Sequence, residues 1–153
     1  MSRRDQITMS ADELAAFLDE QRTVICATNG RDGWPHLMPL WYVVRDGDIW
    51  AWTYAKSQKV RNLERDPRAT LQIEAGEQYA ELRGVMLETT VEIVAGTELV
   101  AGLGAELLGR YGGSPGPLEI DDVIRAQAAK RVALRFVARR TSSWDHRKLG
   151  GIY

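Results

Sequence analysis

The chain has a single cysteine, Cys26, among its 153 residues, so it can form no internal disulfide and no thiolate metal cluster. It has only two histidines, His36 and His146. Neither has a second Cys or His at ligand spacing, which speaks against zinc. Long apolar runs are missing: no stretch of about 18 residues reads as a membrane span. The opening Met1-Ser-Arg-Arg-Asp-Gln lacks the apolar core of a secretion signal. No glycine-rich Walker or Rossmann loop follows a strand pattern, and no serine stands in a nucleophile elbow. Nor is either sign of charge in excess: the formal net charge is −1, a poor match for nucleic acid. The expectation left by these absences is a cytoplasmic globular protein, which as an enzyme would need a cofactor for difficult chemistry.

What is present fits one domain, residues 1–153, long enough to bury a core without staples. Ser10 and Glu13 form a capping box, Met9 and Leu14 a hydrophobic staple, and Leu14, Phe17 and Leu18 an apolar helical face, predicting a helix over 10–20. Thr23 to Thr28 reads as a strand that buries Cys26. The turn 29–33 follows, then a strand over 34–44 whose Pro35 and Pro39 suggest an edge or bulge. Asp46-Gly47 is a hairpin turn before a strand over 49–54, and the three strands read as an antiparallel meander. A short helix is expected over 57–65, stopped by Asp66-Pro67. Strands over 69–74 and 80–94 come next, the longer one bending near Gly84. Leu99, Leu103 and Leu107 mark a helix over 97–111 in which Gly102 and Gly104 read as packing features. After the loop 112–117, a short helix over 120–128 precedes a last strand over 131–138, and the tail to Tyr153 shows no period. Six or more short strands with few helices predict a mainly β fold, a small barrel.

Two basic stretches stand out. Lys56 to Arg68 carries five cations against Glu64 and Asp66. It follows a strand and opens a helix that Ser57 can cap, so Lys56, Ser57 and Lys59 crowd a positive helix end, a plausible phosphate cradle. The plainer reading is a solvated charged helix face. Lys130 to Lys148 carries seven cations against Asp145; it can receive an anion or pair with acidic surface across a dimer. Of the aromatics Trp34, Trp41, Tyr42, Trp50 and Trp52, one or two should line a ligand pocket or a subunit seam.

Gly33-Trp-Pro-His-Leu-Met-Pro-Leu-Trp-Tyr42, Trp52-Thr53, Ser57-Gln58-Lys59, Arg61-Asn62-Leu63 and Asp66-Pro67-Arg68 together resemble the pyridoxamine 5'-phosphate oxidase-like split-barrel superfamily. The likeness spans roughly 23–94. It implies a split β-barrel of antiparallel strands with short flanking helices, working as a homodimer with cofactors in grooves between subunits. By the same resemblance Met38, Pro39, Leu40, Trp52 and Thr53 line the cofactor ring, while Lys59, with Ser57 and Asn62, holds its phosphate. Gln58 stands where the oxidase motif has arginine, with Lys56 compensating. The substrate-phosphate residues of the oxidase are not recognisable, which argues against pyridoxamine-phosphate oxidation.

A finer resemblance is to the branch using the deazaflavin coenzyme F420, carried by Lys59-Val-Arg-Asn-Leu63 with Arg65-Asp-Pro-Arg68, and by Ser143-Trp-Asp-His-Arg-Lys-Leu-Gly-Gly151. It implies Tyr79 and Trp144 near the cofactor, and an F420H2-dependent reductase passing a hydride to a conjugated, electron-poor small molecule. No side chain need act as nucleophile, so no catalytic residue is assigned. The proton can come from Tyr42, Tyr79, His36 or solvent. The rivals are an FMN-dependent oxidoreductase on the same barrel and a cofactor carrier without turnover.

Overall fold

Among residues 1–151, those described by the computed structural model, seven strands form one antiparallel sheet. They are β1 (Val24–Asn29), β2 (Pro35–Leu40), β3 (Val43–Arg45), β4 (Asp48–Tyr54), β5 (Arg68–Ala75), β6 (Arg83–Val94) and β7 (Arg131–Asp145). The helices are α1 (Arg3–Ile7), α2 (Ala11–Glu20), α3 (Gln58–Arg65), α4 (Thr97–Tyr111) and α5 (Asp122–Ala128). The architecture is the expected mainly β one, a sheet curled into a half-barrel with short helices around it.

The strand order β2-β1-β5-β6-β7-β4-β3 corrects the expected meander. β1–β2 and β3–β4 are hairpins, but β2 and β3 lie at opposite edges of the sheet, so 34–44 is two strands and not one. The break falls at Trp41-Tyr42, and its cause is a set of bonds stronger than a ladder. Tyr42 is fully buried. Its amide donates to the Tyr111 hydroxyl at 2.9 Å, and its carbonyl accepts from Arg110. Its own hydroxyl donates to the Leu18 carbonyl at 2.6 Å. The backbone of Tyr42 is thus satisfied by side chains of α4, which frees the chain to cross between the two edges. Arg110 also donates to the carbonyls of Leu18, Asp19 and Gln21, tying down the C-terminal end of α2.

α2 starts at Ser10 with both bonds of the capping box formed, at 3.2 and 2.7 Å. Met9 is buried, and Leu14 packs against the same core. β2 is an edge strand, as its prolines require. Pro35 and Pro39 fall four residues apart, at positions of one parity where an amide is not needed for pairing with β1. Three further expectations are corrected. The strand expected over 80–94 begins only at Arg83, because Tyr79–Glu81 is a single 3-10 turn. The last strand runs on to Asp145, paired with β6 along most of its length. The irregularity in β6 lies between Glu88 and Thr89; Gly84 instead leaves room for the Trp144 ring paired opposite it, and a Cβ there would stand 2.2 Å from the indole.

Strand alternation separates two apolar cores. On β4, Ile49 and Ala51 face the barrel interior with Val24, Cys26, Leu71, Ile73, Val85 and Phe136. Trp50 and Trp52 face the other way, beneath α4 and α5, with Val100, Leu103, Leu107 and Ile124. Leu99, expected to share the face of Leu103 and Leu107, is exposed. The basic stretch 130–148 is largely paired within the chain: Arg135 with Asp48 and Glu92, Arg140 with Glu88, Arg147 with Asp145, Lys148 with Glu13.

The two glycines of α4 differ in what surrounds them. A Cβ at Gly104 would sit 2.3 Å from the Trp52 ring, whereas one at Gly102 would meet nothing within 4 Å. Gly104→Ala should therefore cost about 1–3 kcal/mol through overpacking, while Gly102→Ala should stabilise by roughly 0.5–1 kcal/mol through helix propensity. Urea melts of the two variants check this pair, and equal effects would contradict the close approach of α4 to β4.

Candidate functional site

α3 lies beside β1, and its residues divide by helical spacing. Lys59, Val60, Asn62 and Leu63 are buried. Gln58, Arg61, Asn62 and Arg65 recur at i, i+3, i+4 and i+7 and line one side of a groove whose other wall is β2 and its turn. His36, Met38 and Leu40 of β2 pair with Thr28, Cys26 and Val24 of β1 and so share their face of the sheet, turned toward α3. Pro39 lies on the opposite face.

The centre of the site is Lys59. Its residue is only 7% exposed. Its Nζ donates to the Thr53 hydroxyl at 3.0 Å, and no carboxylate among the described residues pairs with it. Burial holds the Lys59 ammonium below its ordinary pKa, only partly offset by the neighbouring Cys26 thiol. Burial likewise pushes that thiol up to about 12, which makes it an inert core group. One turn along α3, Asn62 is fully buried; its Nδ2 donates to Thr28 Oγ1 at 3.0 Å and its Oδ1 accepts from Gln58 Nε2 at 2.9 Å. Asp66, bonded to Arg68 and to Asn29, is held well below the carboxylate range and ties the end of α3 to β1.

Two buried polar atoms here have no partner: Ser57 Oγ and His36 Nδ1. Ser57 does occupy the N-cap position of α3, but contrary to expectation its hydroxyl makes no capping bond. A buried cation without a counter-charge, beside an idle hydroxyl at a helix start, is a deficit that an oxyanion corrects. The residues present therefore fit a phosphate. Lys59, Ser57 and the first amides of α3 would hold it.

The remaining sequence-derived residues are placed as follows. Lys56 is exposed. Trp52 and Thr53 point to opposite faces of β4, Thr53 to Lys59 and Trp52 to α4, where Arg131 lies over its ring at 4.7 Å. Tyr79 and Trp144 lie elsewhere. Thr53 pairs with Val132 at the start of β7, and Trp144 is twelve residues further along that strand, about 40 Å of extended chain. Tyr79 sits at that same far end, its ring 4.6 Å from His146. Of the proposed proton donors, Tyr42 is sealed under Arg110, and burial raises its hydroxyl pKa. Sequence reasoning passed over Thr28, His36 as a wall of the groove, and Arg31. Their signal was the i, i+3, i+4, i+7 face of α3, which requires something opposite it.

A seven-stranded half-barrel with an anion-ready pocket between an edge strand and a short helix defines the split-barrel class of cofactor-handling domains. The chain belongs to the pyridoxamine 5'-phosphate oxidase family, whose profile matches residues 10–145, and with it to an oxidoreductase superfamily. It is similar to the conserved hypothetical protein Rv2991 of Mycobacterium tuberculosis, at 44% identity over 100% of this chain and 95% of that one, with a TM-score of 0.88. An F420 reductase shares the fold at 24% identity and a TM-score of 0.65, covering 83% of this chain and 94% of that one. So does a FAD-binding protein of Mesorhizobium loti at 22% identity and 0.66, covering 89% and 94%. No curated protein matches the chain. Among the described residues no helix is long and apolar enough to cross a membrane.

The unpaired ammonium sets a pH dependence. Its folded pKa is depressed, so between that value and its ordinary 10.5 the unfolded chain binds more protons than the folded one. Lys59 should then give the ligand-free protein a component of stability that rises with pH across that window, opposed above about 9.0 by the Cys26 thiol and above 10.0 by Tyr42 and Tyr111, all three raised by burial. Lys59→Met should flatten the rise and be at least as stable as the parent at neutral pH. Denaturant melts from about pH 7.5 to 9.5 test this, bracketing the range below free lysine and tyrosine; identical slopes in the two proteins would refute it.

Proposed function

We propose that the protein is an F420H2-dependent reductase acting on a conjugated, electron-poor small molecule, with its cofactor groove completed by a second copy of the chain. The observation that carries this reading is Lys59, a buried cation with no internal counter-charge beside the idle Ser57 hydroxyl. When bound, the deazaflavin supplies a hydride. The chain's own residues position and shield: Lys59 and Ser57 grip the phosphate, Asn62 is braced by Thr28, and Met38 and Leu40 present an apolar wall for a planar ring. His36 is the proton source that lines the same groove; solvent is the other. F420 is favoured over FMN by the Lys59–Arg68 string and by the fold shared with an F420 reductase.

Two features support the second copy. Trp34, Leu37, Met38 and Trp41 expose apolar surface along and beside β2, with Trp34 at 81%, more than a monomer usually leaves uncovered. Further, Trp144 and Tyr79 stand well along β7 from Thr53, and a second copy would let them approach a Lys59 site from the partner's side. The solution mass should be twice 17.2 kDa, and light scattering that found only the single-chain mass at micromolar concentration would contradict the shared groove.

Anaerobic titration is the direct test. The protein should bind F420 and oxidise F420H2 with quinone-like or other conjugated acceptors. Lys59→Ala should weaken cofactor binding by about 1.5–3 kcal/mol, the worth of a charge-assisted bond, while leaving the circular dichroism unchanged. Bound FMN after purification, without affinity for F420, would favour the FMN reading. Tight F420 binding with no turnover on any acceptor would favour a carrier.

A further inference from the structure

We draw no further inference here: the strongest candidate, the apolar groove of about 530 Å³ between α2 and the β3–β4 hairpin, lined by Leu14, Leu18, Val43 and Val44, carries nothing because nothing in the structure shows what covers it.

Discussion

Arg110 and Tyr42 hold the molecule closed. A strand hairpin at each edge of an open sheet would ordinarily give two loosely related halves. Here the two residues between β2 and β3 are pinned instead to α4, the amide of Tyr42 to the Tyr111 hydroxyl and its carbonyl to Arg110. The same guanidinium caps the carbonyls at the end of α2 and lies over the Tyr42 ring at 4.7 Å. Such a cluster is stabilising only when complete, because a buried polar group left without its partner is costly. With it in place, the β1–β2 hairpin is held at one rim of the half-barrel and the β3–β4 hairpin at the other. That is what brings Thr53, at the end of β4, within reach of a lysine on α3 while His36 and Met38 of β2 form the opposite wall.

The chemistry of the groove follows from what the fold withholds from it. Most charges in this protein are neutralised locally, as in the pairs Arg83–Glu20 and Arg147–Asp145. Lys59 is given a hydroxyl where a carboxylate would have been cheap, and Ser57 is left without its customary amide. A buried cation without a counter-charge and an idle hydroxyl are costly in the empty protein, a deficit that an oxyanion would correct. The family membership and the half-barrel are consistent with a cofactor held in this way.

Much of this was legible in the sequence, and the parts that were not share a cause. The capping box at Ser10 and the edge character of β2 could be read from local chemistry. So could Lys59 at the start of a helix that follows a strand. The break at Trp41-Tyr42 could not, because 34–44 has no turn residue at that point and its partners lie about 70 residues away in α4. The continuation of β7 to Asp145 was hidden by its charge: Arg139, Arg140 and Thr141 look like a loop, yet they are exposed positions of a strand paired with β6. Trp52 and Thr53 are neighbours in a motif, but strand alternation sends one beneath α4 and the other into the barrel. Motif spacing records which residues travel together in a family, and only the fold says which of them meet.

β2 presents a broad apolar strip at an open sheet edge, a combination that in many proteins invites unlimited strand addition and fibril growth. Its two prolines remove amide donors from that rim, and β3, at the opposite rim, is only three residues long. Side-chain contact with another surface remains possible there, whereas backbone templating is poorly supported. The chain can thus carry a sticky surface through synthesis and folding and still finish as a discrete particle, not a polymer.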